Sequence, residues 1–70
     1  MTYDVELEFL DDNGNVVDSN QLFETNDYDE AMAFAIRQKV RNAEEQIAVW
    51  VWDDDGENVV DSFIVKTFDD

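Results

Sequence analysis

An α+β fold of order ββαββ is predicted: two β-hairpins forming a four-stranded, mainly antiparallel sheet, with one helix across one face. Three observations carry it. Residues 5–19 and 47–62 follow one plan, an apolar run, an acidic turn with a single glycine, and the tetrad Val-Val-Asp-Ser. Between them, near Asn26, the hydrophobic period changes from that of a strand to that of a helix. The chain has no Pro, only two Gly and no low-complexity block, so nothing in it reads as a linker. Residues 1–70 are therefore one domain, with a hairpin over 2–25, a helix over 27–44 and a hairpin over 47–68.

In the first strand Tyr3, Val5, Leu7 and Phe9 alternate with Asp4, Glu6 and Glu8, the pattern of a strand with one wet face. Asp11-Asp-Asn-Gly-Asn15 is turn chemistry, because Asn13-Gly14 tolerates the positive φ that a tight hairpin needs. A second, more polar strand runs from Val16 to about Thr25. Asn26 or Asp27 can cap a helix N-terminus, Asp27 and Glu30 have capping-box spacing, and Asp27, Asp29 and Glu30 suit the positive end of the helix dipole. At 100° per residue Tyr28, Met32, Ala35, Ile36 and Ala43 share a face with the stem of Lys39, while Phe34 falls beside Arg37 and Arg41. The third strand, Ile47 to Trp52, is apolar on both faces. Asp53-Asp-Asp-Gly-Glu57 turns the chain, the fourth strand covers Asn58 to Phe68, and Asp69-Asp70 ends it.

One helix covers only one side of a four-stranded sheet, so the other side meets solvent or a partner. Aligning the two copies pairs Val5, Leu7 and Phe9 with Ile47, Val49 and Val51, and these are assigned to the helix-covered side. Glu6, Glu8 and Leu10 then match Ala48, Trp50 and Trp52 on the open side. An acidic face with a ridge of two Trp and Leu10 is the sharpest structural expectation.

Size and charge limit the function. A domain of 70 residues buries only roughly 60% of the surface its unfolded chain exposes, which leaves little room for an internal active site. Without His or Cys the usual neutral-pH base, the usual zinc ligands and any disulfide are missing. Nineteen Asp and Glu against four Lys and Arg give a net charge of −15, which repels nucleic acid and anionic membranes and favours a basic protein partner. Three of the four basic residues, Arg37, Lys39 and Arg41, belong to the helical segment. No run reaches the length of a membrane span, and Met1-Thr-Tyr-Asp-Val-Glu6 lacks the basic and apolar regions of a signal peptide, so a cytoplasmic protein is expected.

The acidic turns invite a calcium reading, which the spacing opposes. With Gly56 at the sixth position of a calcium loop, Val51 stands first and Ser62 twelfth; with Gly14 there, Phe9 stands first and Asn20 twelfth. Both frames lose the ligands that anchor the ion. Neighbouring carboxylates such as Glu44-Glu45 follow from composition alone, so no catalytic residue, cofactor or metal ligand is assigned and a non-enzymatic protein is expected. Haloarchaeal salt adaptation also produces acidic surfaces, yet six Asn, five Phe and two Gly are not that usage.

Size, charge, lack of Cys and Pro, and the ββαββ layout give the chain a resemblance to small acidic phage-encoded inhibitors of the anti-CRISPR and anti-restriction kind. Such a resemblance implies nucleic-acid mimicry in the host cytoplasm: carboxylates occupy the basic groove of a nuclease or repressor and exclude its substrate. Candidate partner-binding residues are Glu6, Glu8, Asp11, Asp12, Asp53, Asp54, Asp55 and Glu57, with Trp50 and Trp52 as desolvated anchors. The alternative is an adaptor or homodimer that uses the open Trp face, opposed by repulsion between two highly acidic copies.

Overall fold

The structure is a computed structural model and describes residues 1–68; Asp69 and Asp70 lie outside them. The order is β1 (Thr2–Leu10), β2 (Val16–Thr25), α1 (Tyr28–Arg37), β3 (Glu45–Trp52) and β4 (Val59–Thr67). All neighbours are antiparallel, in the sheet order β2-β1-β3-β4, so the expected ββαββ architecture is the one found. Each hairpin contributes its apolar strand to the centre and its polar strand to an edge.

The internal repeat gives this sheet a local two-fold axis. β1 pairs with β3 so that Glu6 lies opposite Ala48, its own equivalent in the repeat, and the register runs symmetrically outward from that pair. Both turns are built alike. Gly14 (φ 84°) and Gly56 (φ 71°) take the left-handed conformation, and their N–H groups donate to the carbonyls of Asp11 and Asp53 at 3.0 Å in each turn. In each Val-Val-Asp-Ser tetrad the second Val, Val17 or Val60, is the extra residue of a register shift. Ser19 and Ser62 then donate their backbone N–H to Asp18 and Asp61 at 2.8 Å. The repeated tetrad thus encodes a bulge as well as a strand start.

The covered face holds Val5, Ile47 and Val49, all fully buried, under Ala31 and Ala35 of the helix. Phe23 and Phe63 continue the Val5–Val49 rung to the two edges. Small residues let the helix backbone sit close to the sheet, with Met32 and Phe34 flanking them. Asp27 caps the N-terminus by accepting from the Glu30 N–H at 3.1 Å. The Thr25 hydroxyl accepts from the Asp27 N–H and donates to the Glu30 carboxylate, tying the cap to β2.

Two expectations about the helix fail. It stops at Arg37 rather than reaching 44, so Lys39 and Ala43 are not helical. Gln38 is the C-cap, with extended ψ of 152°, and its side chain donates to the Phe34 carbonyl at 3.1 Å. Lys66 from β4 donates to the Ile36 carbonyl at 3.2 Å and meets the negative end of the dipole. The buried stripe is also rotated: Phe34 stacks on Phe23 with ring centroids 4.4 Å apart, while Ile36 is exposed. Centring the contact on Ala31 and Ala35 brings Phe34 inward and swings Ile36 out.

Candidate functional site: the open face of the sheet

Alternation on β1 and β3 sends Asp4, Glu6, Glu8, Gln46, Ala48, Trp50 and Trp52 to the side away from the helix. The register arranges them in rungs across four strands: Glu24–Asp4–Trp50–Ser62, Gln21–Glu6–Ala48–Ile64 and Ser19–Glu8–Gln46–Thr67. Both Trp lie on this face, half-buried, as expected.

The carboxylates beneath them are not solvated. Asp4, Glu6 and Glu8 keep only 6%, 4% and 6% of their exposure. Expected as an outward-pointing acidic surface, Glu6 and Glu8 are instead floor groups under polar and aromatic side chains. The Trp50 indole N–H donates to Glu8 at 2.9 Å and the Trp52 indole N–H to Asp4 at 3.3 Å. Gln46 donates to Glu8 and Gln21 to Asp4, both at 2.8 Å. Trp50 and Glu8 are two rungs apart, so the Trp50 ring spans the Glu6–Ala48 rung between them. Ala48, 1% exposed, is small enough to leave it room.

Charge is uncompensated here. Among the described residues the ion pairs are Met1 N-terminus to Asp54 at 2.9 Å and Arg41 to Glu45 at 3.6 Å, and neither touches Asp4, Glu6 or Glu8. Burial pushes the Glu6 carboxyl up to about 7, helped by a hydrogen bond to Asp4 and by the charges of Asp4 and Glu8, and opposed by the Ser19 hydroxyl.

The acidic turns stand at opposite ends of the sheet, because β1 and β3 are antiparallel. They divide the remaining candidate residues by role. Asp11 accepts the backbone N–H groups of Asn13 and Asn15 at 2.9 Å, and Asp53 accepts that of Glu57 at 3.0 Å. Those bonds, from Asn15 and Glu57 foremost, hold both carboxyls below the usual carboxylate range. Asp11 and Asp53 are turn-builders, whereas Asp12, Asp54, Asp55 and Glu57 are exposed. Gly56 of the Asp53–Glu57 turn lines a cavity with Asp4 and Trp52 of the face, and Asp11 and Asp12 lie at the other end of the sheet.

Asp4, Gln21, Glu24 and Gln46 were not among the candidates. Alternation alone places Asp4 with Glu6 and Glu8. Gln21 and Glu24 join the site only through the β1–β2 register, which shifts between Val5 and Glu6 and leaves Leu22 as the extra residue.

Every basic side chain lies on the other side. Arg37 ends the helix, Arg37, Lys39 and Arg41 line a groove with Leu7, Leu22 and Ile47, and Lys66 is bonded to the helix. Among the described residues no group of three or more metal-ligating side chains is arranged to hold an ion, and no helix is long and apolar enough to cross a membrane. Comparison with protein-family models, with curated proteins and with solved structures finds no match.

Proposed function

We propose that the protein is a non-enzymatic inhibitor that mimics nucleic acid and occupies the basic groove of a nucleic-acid-binding protein, such as a CRISPR or restriction nuclease. The observation supporting this reading is the segregation of charge. The face carries carboxylates and two indoles and no cation, its adjoining turn is acidic with the Met1 ammonium paired to Asp54, and all four basic side chains sit on the helix side. Such a face attracts the Lys and Arg clusters that bind phosphates, and the Trp pair supplies desolvated area where the charges meet. Direct contact with DNA, RNA or an anionic membrane is disfavoured by the same field.

The test is capture from cell lysate on the immobilised protein at low salt, elution by a salt gradient, and competition with duplex DNA or RNA. Recovery of a basic nucleic-acid enzyme that nucleic acid displaces supports mimicry. Capture that nucleic acid leaves untouched refutes it. An adaptor or homodimer joined through Trp50 and Trp52 would instead associate in a way that survives salt, since apolar burial is not screened.

A further inference from the structure

We infer that the open face receives an arginine-bearing segment of the basic partner, with one guanidinium seated in the cavity at the Trp52 end of the face. This rests on the proposed function and specifies its recognition chemistry. The cavity measures about 250 Å³ and is lined by Thr2, Asp4, Gln21, Glu24, Trp52 and Gly56. Two carboxylates, an indole and polar side chains from β1, β2 and β3 therefore converge on one space beside the Gly56 backbone of the β3–β4 turn.

Its charge calls for a cation from outside. Asp4 is 94% buried by complement of its 6% exposure, and its two oxygens take one neutral donor each, Gln21 at 2.8 Å and Trp52 at 3.3 Å. A carboxylate oxygen accepts more than one bond, so both retain acceptor capacity. A buried carboxylate is ordinarily paired with a cation; among the described residues no ion pair includes Asp4, and the Met1 ammonium is taken by Asp54 at 2.9 Å. Glu24, exposed on the edge strand and on the same rung as Asp4, is a second acceptor at the mouth.

Arginine fits this set better than lysine. Its planar fork presents several donors at once, so it can bridge two carboxylates, and its weakly hydrated face stacks on an indole. Trp is the best aromatic partner for a cation. A lysine ammonium would be a single, strongly hydrated point charge in the same space. Trp52 would thus serve as both wall and hydrogen-bond donor to the floor.

The probe is a penta-arginine peptide, with penta-lysine as its equal-charge control, titrated into ¹⁵N-labelled protein at low salt and followed by NMR. Saturable shifts centred on the Trp52 indole N–H and the Gln21 side-chain amide are expected, with tighter binding of the arginine peptide. The double variant Asp4→Asn/Glu24→Gln should weaken that binding roughly tenfold, and by much more than Asp12→Asn/Asp55→Asn, which removes equal charge from the turns. If Asp4→Asn does not fold, Glu24→Gln alone decides, because that side chain is exposed. Equal binding of the two peptides, or equal losses from face and turn variants, would overturn the inference. Those results would leave mimicry standing on diffuse charge; failure of nucleic-acid competition with an intact arginine subsite would instead refute mimicry alone.

Discussion

At the residue scale Glu6 is the group whose environment has the clearest consequence. It sits in the middle of the row, faced by Asp4 and Glu8 on its own strand, by Ser19, Gln21 and Glu24 on β2, and by Ala48 and Trp50 on β3. In the unfolded chain the carboxyl ionises near its ordinary 4.5, whereas in the fold it holds its proton to about 7. Between those values the folded state binds more protons, so stability falls as pH rises through that window and levels off above it. Glu6→Gln should therefore flatten the profile and stabilise the protein by roughly 1–3 kcal/mol at about pH 8, measured by urea denaturation across pH. An unchanged profile would mean that Glu6 ionises as it does in the unfolded chain. Asp11 and Asp53 act in the opposite sense: their depressed values give stability that is present above 3.8 and lost as acid protonates the turns.

At the scale of elements, the strands were legible because their period is two and the repeat supplied a second copy to align. That alignment assigned Trp50 and Trp52 correctly to the open face. What it could not yield was the slant of the indoles over β1, which depends on Ala48 being small and on the exact β1–β3 register. Ala48→Leu should crowd Trp50 off the Glu6 rung, break its bond to Glu8 and cost about 1–3 kcal/mol, with a red-shifted Trp emission. Unaltered stability and emission would show that the Trp50 ring does not cross that rung. The helix was misjudged for a related reason. Ala31, Ala33 and Ala35 announce it, but its end is set by the local Gln38 cap on the Phe34 carbonyl together with a tertiary contact, Lys66 bonding to the Ile36 carbonyl. Phe34 faces inward because Phe23 is there to stack on, and a wheel drawn from the helix alone has no knowledge of β2.

For the whole molecule, net charge was visible from composition, but its distribution was not. The acidic turns looked like one set with the strand carboxylates, and the antiparallel β1–β3 pairing separates them to the two ends of a molecule 34 Å long. The helix-side placement of Lys66 likewise emerges only from the β3–β4 register, which sets it opposite Ile47. The four basic side chains stand on one side and carboxylates outside any ion pair lie under indoles on the other, so the molecule's charge is polarised across the sheet. Mimicry then means that this face competes with phosphates for the same basic side chains.

Displacement tests that claim most directly. A basic partner recovered by capture is loaded with a labelled nucleic-acid duplex and titrated with the protein at several salt concentrations. Mimicry requires release of the duplex and an affinity whose logarithm falls linearly with the logarithm of salt; the arginine subsite further requires weaker release by Asp4→Asn/Glu24→Gln. A complex that holds protein and duplex together, or release indifferent to salt, would contradict it.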